Sequence, residues 1–90
     1  MLFMVIERFR GGNPDPVYRR FRQCGRLAPE GLRYVSSWVD TDLGTCWQVM
    51  DADDHARLDA WIANWADLVD FEVREVLTSA EAAARVLGDA

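Results

Sequence analysis

The chain predicts an α+β domain in the order strand, helix, strand, strand, helix, strand, and three features of the sequence point there. Four segments alternate or run apolar over strand lengths. Two others repeat their apolar residues every three or four positions, and Gly, Pro and Asp punctuate the joins. A chain of 90 residues has interior for one core, so residues 1–90 are expected to form one domain. Half of the residues are hydrophobic and four are tryptophan, which argues against disorder.

Met1 to Phe9 is apolar on both alternating sets, Leu2/Met4/Ile6 and Phe3/Val5, until Glu7, as in a central strand covered on both faces. Gly11-Gly12-Asn13-Pro14 breaks the chain. Asp15 before Pro16 is placed as an N-cap, with proline at the first helical position where no donor is lost. A helix then runs from about Pro16 to Cys24, with Val17, Phe21 and Cys24 as its apolar stripe and Gly25 closing it in a left-handed cap. Arg19, Arg22 and Arg26 line another face.

Ala28-Pro29-Glu30-Gly31 turns into a second strand, Leu32 to Val39, in which Tyr34/Ser36/Trp38 face one way and Val35/Ser37/Val39 the other. Asp40 to Thr45, with Gly44, suits a hairpin into a third strand, about Thr45 to Met50, where Trp47/Val49 alternate with Cys46/Gln48/Met50. Asp54 caps a second helix, His55 to about Ala66, whose Leu58, Trp61, Ile62 and Trp65 have the spacing of a buried face. Asp70 to Leu77 is the fourth strand, with Phe71/Val73 opposite Glu72/Arg74/Val76. Thr78 to Glu81 matches a capping box, so a short C-terminal helix follows and ends near Gly88.

Two strand-helix-strand units around a hairpin make the split βαβ, or ferredoxin-like, arrangement: an antiparallel sheet with both main helices on one face. The helix-bearing face is expected to carry Leu2/Met4/Ile6, Val35/Val39, Trp47/Val49 and Phe71/Val73, with Leu2, Trp47, Trp61 and Phe71 as core residues. The other face would then hold Phe3, Val5, Glu7, Tyr34, Ser36, Trp38, Cys46, Gln48, Met50, Glu72, Arg74 and Val76. So much apolar surface exceeds what a monomer usually exposes. A homodimer through that open sheet face is therefore expected, with its polar groups lining a cleft.

Three stretches, MLFMVIERF, RRFRQCGRLAPEGLRYVSSWV, and W-x3-W-x-D-L-x2-F-E at Trp61 to Glu72 followed by LTSAEAA, resemble the domain-of-unknown-function family 3303 of small bacterial proteins. The resemblance covers nearly the whole chain. It implies the dimeric α/β-barrel version of the ferredoxin-like fold and brings no activity, so no catalytic residue is carried over. Where family members have a histidine after the first-strand glutamate, this chain has Arg8, which removes a histidine base from that place.

Net charge is −5 and all ten basic residues are arginine. The chain repels polyanions, and Thr45 to Asp51 lacks the basic-glycine-aromatic pattern that stacks bases, so no nucleic-acid partner is expected. The lysine-free, Ala/Arg/Asp-rich composition resembles that of a GC-rich bacterial genome. The first apolar run is too short for a signal or a span, so a cytoplasmic protein with no membrane partner is expected. Cys24 and Cys46 lack metal-site spacing and read as small buried hydrophobes.

The weak catalytic candidates are Glu7 and His55, and the expected ligand-binding residues are Tyr34, Trp38, Gln48 and Arg74. Glu7 and Gln48, on neighbouring strands, bring a carboxylate and an amide under an aromatic wall; a buried carboxylate there would have a raised pKa and could move protons. The plainer expectation pairs Glu7 with Arg74 or Arg33. His55, the sole histidine, falls at a helix N-terminus and reads as an exposed first-turn residue or a base. Asp51, Asp53 and Asp54 read as capping rather than a cation site. Arg19, Arg20, Arg22 and Arg26 form a solvated face or an anion site.

No metal, cofactor, phosphate loop or nucleophile triad is indicated. The leading expectation is a small dimeric protein that binds a small molecule, or a protein partner, without catalysis. The alternative is a cofactor-independent monooxygenase- or isomerase-like enzyme acting on a small aromatic or dicarbonyl compound.

Overall fold

The computed structural model describes residues 1–88. Its elements are β1 (Leu2–Phe9), a 3-10 turn (Arg10–Gly12), α1 (Asp15–Cys24), β2 (Leu32–Val39), β3 (Thr45–Ala52), α2 (His55–Ala63), β4 (Val69–Val76) and α3 (Ser79–Leu87). The sheet has the order β2-β3-β1-β4, and every neighbouring pair is antiparallel. With α1 and α2 packed on one face, this is the ferredoxin-like α+β architecture, extended by a C-terminal helix.

The helix-bearing face is set by Phe3, Val5, Glu7 and Phe9 on β1, all buried. Register places Met50, Gln48 and Cys46 opposite Phe3, Val5 and Glu7 from one side, and Val73 and Phe71 opposite Val5 and Glu7 from the other. Leu58, Trp61 and Trp65 close the core from above. The expected sides of β1 and β3 are thus reversed: Leu2, Met4, Ile6, Trp47 and Val49 lie on the bare face and are only partly buried. Of the four expected core residues, Trp61 is buried and Phe71 packs against the core, whereas Leu2 and Trp47 do not. Both sets of β1 are apolar, so alternation could not choose between them. Glu7 and Gln48 assign their set to the expected dimer cleft, but the fold buries them beneath α1.

β2 departs from simple alternation. A bulge between Tyr34 and Ser36 places Tyr34, Ser37 and Val39 opposite Met50, Gln48 and Cys46, and leaves Ser36 and Trp38 on the bare face. One extra residue switches the facing parity of a strand. The expected Tyr34/Ser36/Trp38 set is therefore divided.

α1 begins one residue earlier than expected, with Pro14 at the N-cap, and Asn13 Oδ1 rather than Asp15 accepts a hydrogen bond, from the Asp15 amide at 3.1 Å. Gly25 ends it at φ 72°, ψ −160°, outside the left-handed helical region and open to glycine alone. Of the expected stripe only Val17 is buried; Phe21 and Cys24 are exposed. Val17 is thus the one buried side chain of the helix, with Tyr18 edge-on to Phe9 beside it, and a gap remains beneath. Arg20 ties α1 down from the side, through two hydrogen bonds to Asp67 at 2.8 and 2.6 Å and one to the Asn64 carbonyl.

α2 starts on Asp54, whose carboxylate accepts from the Arg57 amide at 3.1 Å. α3 has the expected reciprocal box, Thr78 Oγ1 accepting from Glu81 N and Glu81 Oε1 from Thr78 N. It buries no side chain. Among the described residues no helix is long and apolar enough to cross a membrane.

Candidate functional site

The gap under α1 is a cavity of about 130 Å³, partly open to solvent. Its floor is sheet: Glu7 and Phe9 from β1, Cys46 and Gln48 from β3, Ser37 and Val39 from β2. Its roof is Val17, Tyr18 and Phe21 of α1, and its end wall is Arg26 with Trp61 and Trp65. The volume is close to the roughly 150 Å³ of an apolar cavity that accepts one benzene, and well below the several hundred Å³ of drug-sized sites.

Glu7 is the central polar group. It is 8 % exposed, and its Oε2 is buried with no hydrogen-bond partner. Burial pushes its carboxyl from 4.5 up to about 7, although the Cys46 thiol hydrogen-bonded beside it and the Arg26 charge pull the other way. Neither expected arginine neutralises it: Arg74 pairs with Glu72, and Arg33 with Asp51 and Asp53. Burial, then the neighbouring Glu7 charge, pushes Cys46 up to about 12. Cys46 therefore stays a thiol near neutrality and is a poor nucleophile. Tyr18 is also pushed up, by burial first and then by Cys46 and Glu7.

Gln48 is 3 % exposed and is fixed on both ends. Its Oε1 accepts from Arg26 Nη1 at 3.0 Å, while its Nε2 lies 3.1 Å from the Met50 sulfur. Arg26 is held in turn by aromatic faces, with its guanidinium 3.9 Å from the Tyr34 centroid and 5.3 Å from that of Phe21. Its backbone carbonyl accepts from both indoles, Trp61 Nε1 at 3.0 Å and Trp65 Nε1 at 2.9 Å. The W-x3-W-x-D segment is thus a clamp: its tryptophans fix Arg26 and its aspartate fixes α1.

The structure brings Glu7 and Gln48 together, as expected, but beneath α1 and within one chain. Tyr34 sits beside the cavity, its hydroxyl 2.7 Å from Ser37 Oγ and its ring under Arg26. Trp38 and Arg74 are on the opposite face of the sheet and take no part in the cavity. His55 lies four residues away along β1, against the Phe3 ring at 4.9 Å, and is exposed. Asp51 and Asp53 meet Arg33, and Asp54 meets Arg57. Arg8, on the bare face, pairs with Glu72. Sequence reasoning missed Tyr18, Ser37 and the inward turn of Arg26. The Gly25 that precedes Arg26 was the available signal, because it lets the chain swing back over the sheet.

A family model described as a domain of unknown function (DUF3303) matches residues 1–88. No curated protein and no solved structure matches the chain.

Proposed function

Because the chain belongs to the DUF3303 family, whose description carries no activity, we propose its function from the cavity: it binds one small organic molecule, about a single ring in size, against Glu7. The observation that carries this reading is a buried carboxyl with an unpartnered oxygen, lining a ring-sized space walled by aromatic side chains. An unsatisfied buried polar atom costs about 1–3 kcal/mol, and a ligand that hydrogen-bonds it recovers that loss. The test is a thermal-shift screen of single-ring phenols, acids and ketones against the wild type and Val39→Phe, which fills the floor. Ligands should raise the wild-type Tm and leave the filled variant unmoved. Equal shifts in both, or none in either, would refute the reading.

Proton transfer is the second reading, favoured by the carboxyl at about 7, since acid–base catalysis works best with a group that titrates near the working pH. Glu7 would take a proton from carbon beside a ring ketone and return it. Deuterium exchange of cyclohexanone, followed by NMR, should be faster with wild type than with Glu7→Gln; equal rates exclude it.

The bare sheet face supports homodimerisation, with the residue set corrected. Leu2, Met4, Ile6, Trp47, Val49 and Val76 share it with Trp38, which is 60 % exposed. A second copy is the occupant that matches such a patch by self-complementarity. Sedimentation should give a dimer that Met4→Asp dissociates. A wild-type monomer at micromolar concentration would contradict this.

A further inference from the structure

We propose that the cavity's ligand is a small monocarboxylate anion, seated with its carboxylate between the Arg26 guanidinium and the Glu7 carboxyl and taken up together with one proton. This rests on the reading of the cavity as a ligand site and adds the ligand's charge.

Arg26 motivates the choice of an anion. Arg8, Arg10, Arg20, Arg33, Arg57 and Arg74 each meet an Asp or Glu. Arg19, Arg22 and Arg85 point to solvent. Among the described residues Arg26 is the half-buried guanidinium with no carboxylate at ion-pair distance, Glu7 being felt only as a charge across the cavity. It is also immobilised, stacked on Tyr34, bonded to Gln48 and anchored by two indoles through its carbonyl. A guanidinium has five donors in a fixed fork matched to a carboxylate, and one side-chain acceptor on Gln48 leaves most of that fork for a ligand.

Glu7 motivates the proton. Two adjacent carboxylates cannot both stay ionised in a desolvated site, so a bound anion holds one proton on Glu7. The groups facing Glu7 are Cys46 and Gln48 from β3, Tyr18 from α1, Arg26 from the loop after α1, and Phe71 beside it on β4. Cys46 and Tyr18 are both pushed up and keep their protons near neutrality. Glu7, at about 7, is then the group in this set that changes charge in the neutral range.

The test is titration calorimetry with benzoate as probe, and with benzamide and phenol as uncharged comparators. Wild type should prefer benzoate to benzamide by at least about tenfold, the scale of one charge-assisted pair. Benzoate affinity should fall about tenfold from about pH 6 to about pH 8, following the protonated fraction of Glu7. Binding in buffers of different ionisation enthalpy should show net proton uptake at the higher pH. Glu7→Gln should bind benzoate without uptake or pH dependence, and Arg26→Gln should lose the preference over benzamide. If phenol or benzamide binds and benzoate does not, the anion proposal is wrong while the cavity remains a ligand site. Benzoate bound by the wild type at about pH 8 with no proton uptake also overturns it, whatever the variants do. If no probe binds, both fall together.

Discussion

Replacing Glu7 by glutamine should change how stability depends on pH between 4.5 and about 7. The carboxyl titrates at 4.5 when unfolded and at about 7 when folded, so the folded state holds the proton more tightly. Stability from this group is complete below pH 4.5, declines as the pH rises, and is lost once the pH has passed about 7. At about 1.4 kcal/mol per pH unit, the interval between 4.5 and about 7 corresponds to about 3 kcal/mol. A glutamine keeps the shape and removes the titration. Urea denaturation of both proteins across the acid-to-neutral range, read as the difference at each pH, isolates the effect. Asp51, Asp67 and Glu81 are all held below their ordinary values by hydrogen bonds from Arg33, Arg20 and the Thr78 backbone amide respectively. They oppose the trend in each protein and cancel in the difference. The variant should gain about 3 kcal/mol on wild type between the two ends of the range. A flat difference would refute the claim that burial destabilises the ionised carboxyl.

Trp65→Phe removes one of two indole donors to the Arg26 carbonyl and should cost about 1 kcal/mol in denaturant, while weakening any ligand of the cavity; unchanged binding would show that Arg26 needs no second anchor. Leu43 has φ 64° in the β2–β3 hairpin and is exposed, so Leu43→Gly should raise stability by about 1 kcal/mol in the same assay. Gly31 has φ 84°, and a Cβ there would collide with the Arg57 side chain, so Gly31→Ala should lower stability by about 1–3 kcal/mol.

Element order and strand pairing follow from punctuation and periodicity, because each strand and helix carries a local pattern that a single chain shows on its face. Which side of β1 faces the helices did not follow. Leu2/Met4/Ile6 and Phe3/Val5/Phe9 are equally apolar, and the deciding contacts are with α2, distant in sequence. Glu7 and Gln48 reversed the inference, since polar groups belong more often on the face away from the helices than under them, and here both are buried under α1. That local contradiction marks the candidate site, where a fold tolerates a broken rule. The bulge at Val35 leaves no trace in a run of β-forming residues, so the separation of Tyr34 from Trp38 needed the register. Arg26 looked like one more member of a solvated arginine face. Only the aromatic rings and indoles that converge on it, from α1, β2, α2 and the turn after α2, distinguish it.

The most direct measurement is an NMR titration of the Glu7 side-chain carboxyl in the folded protein, assigned through Glu7→Gln. A midpoint near 7, well above the ordinary 4.5, is predicted. A midpoint at or below 4.5 would mean a hydrated or ion-paired carboxylate and would contradict the cavity as described.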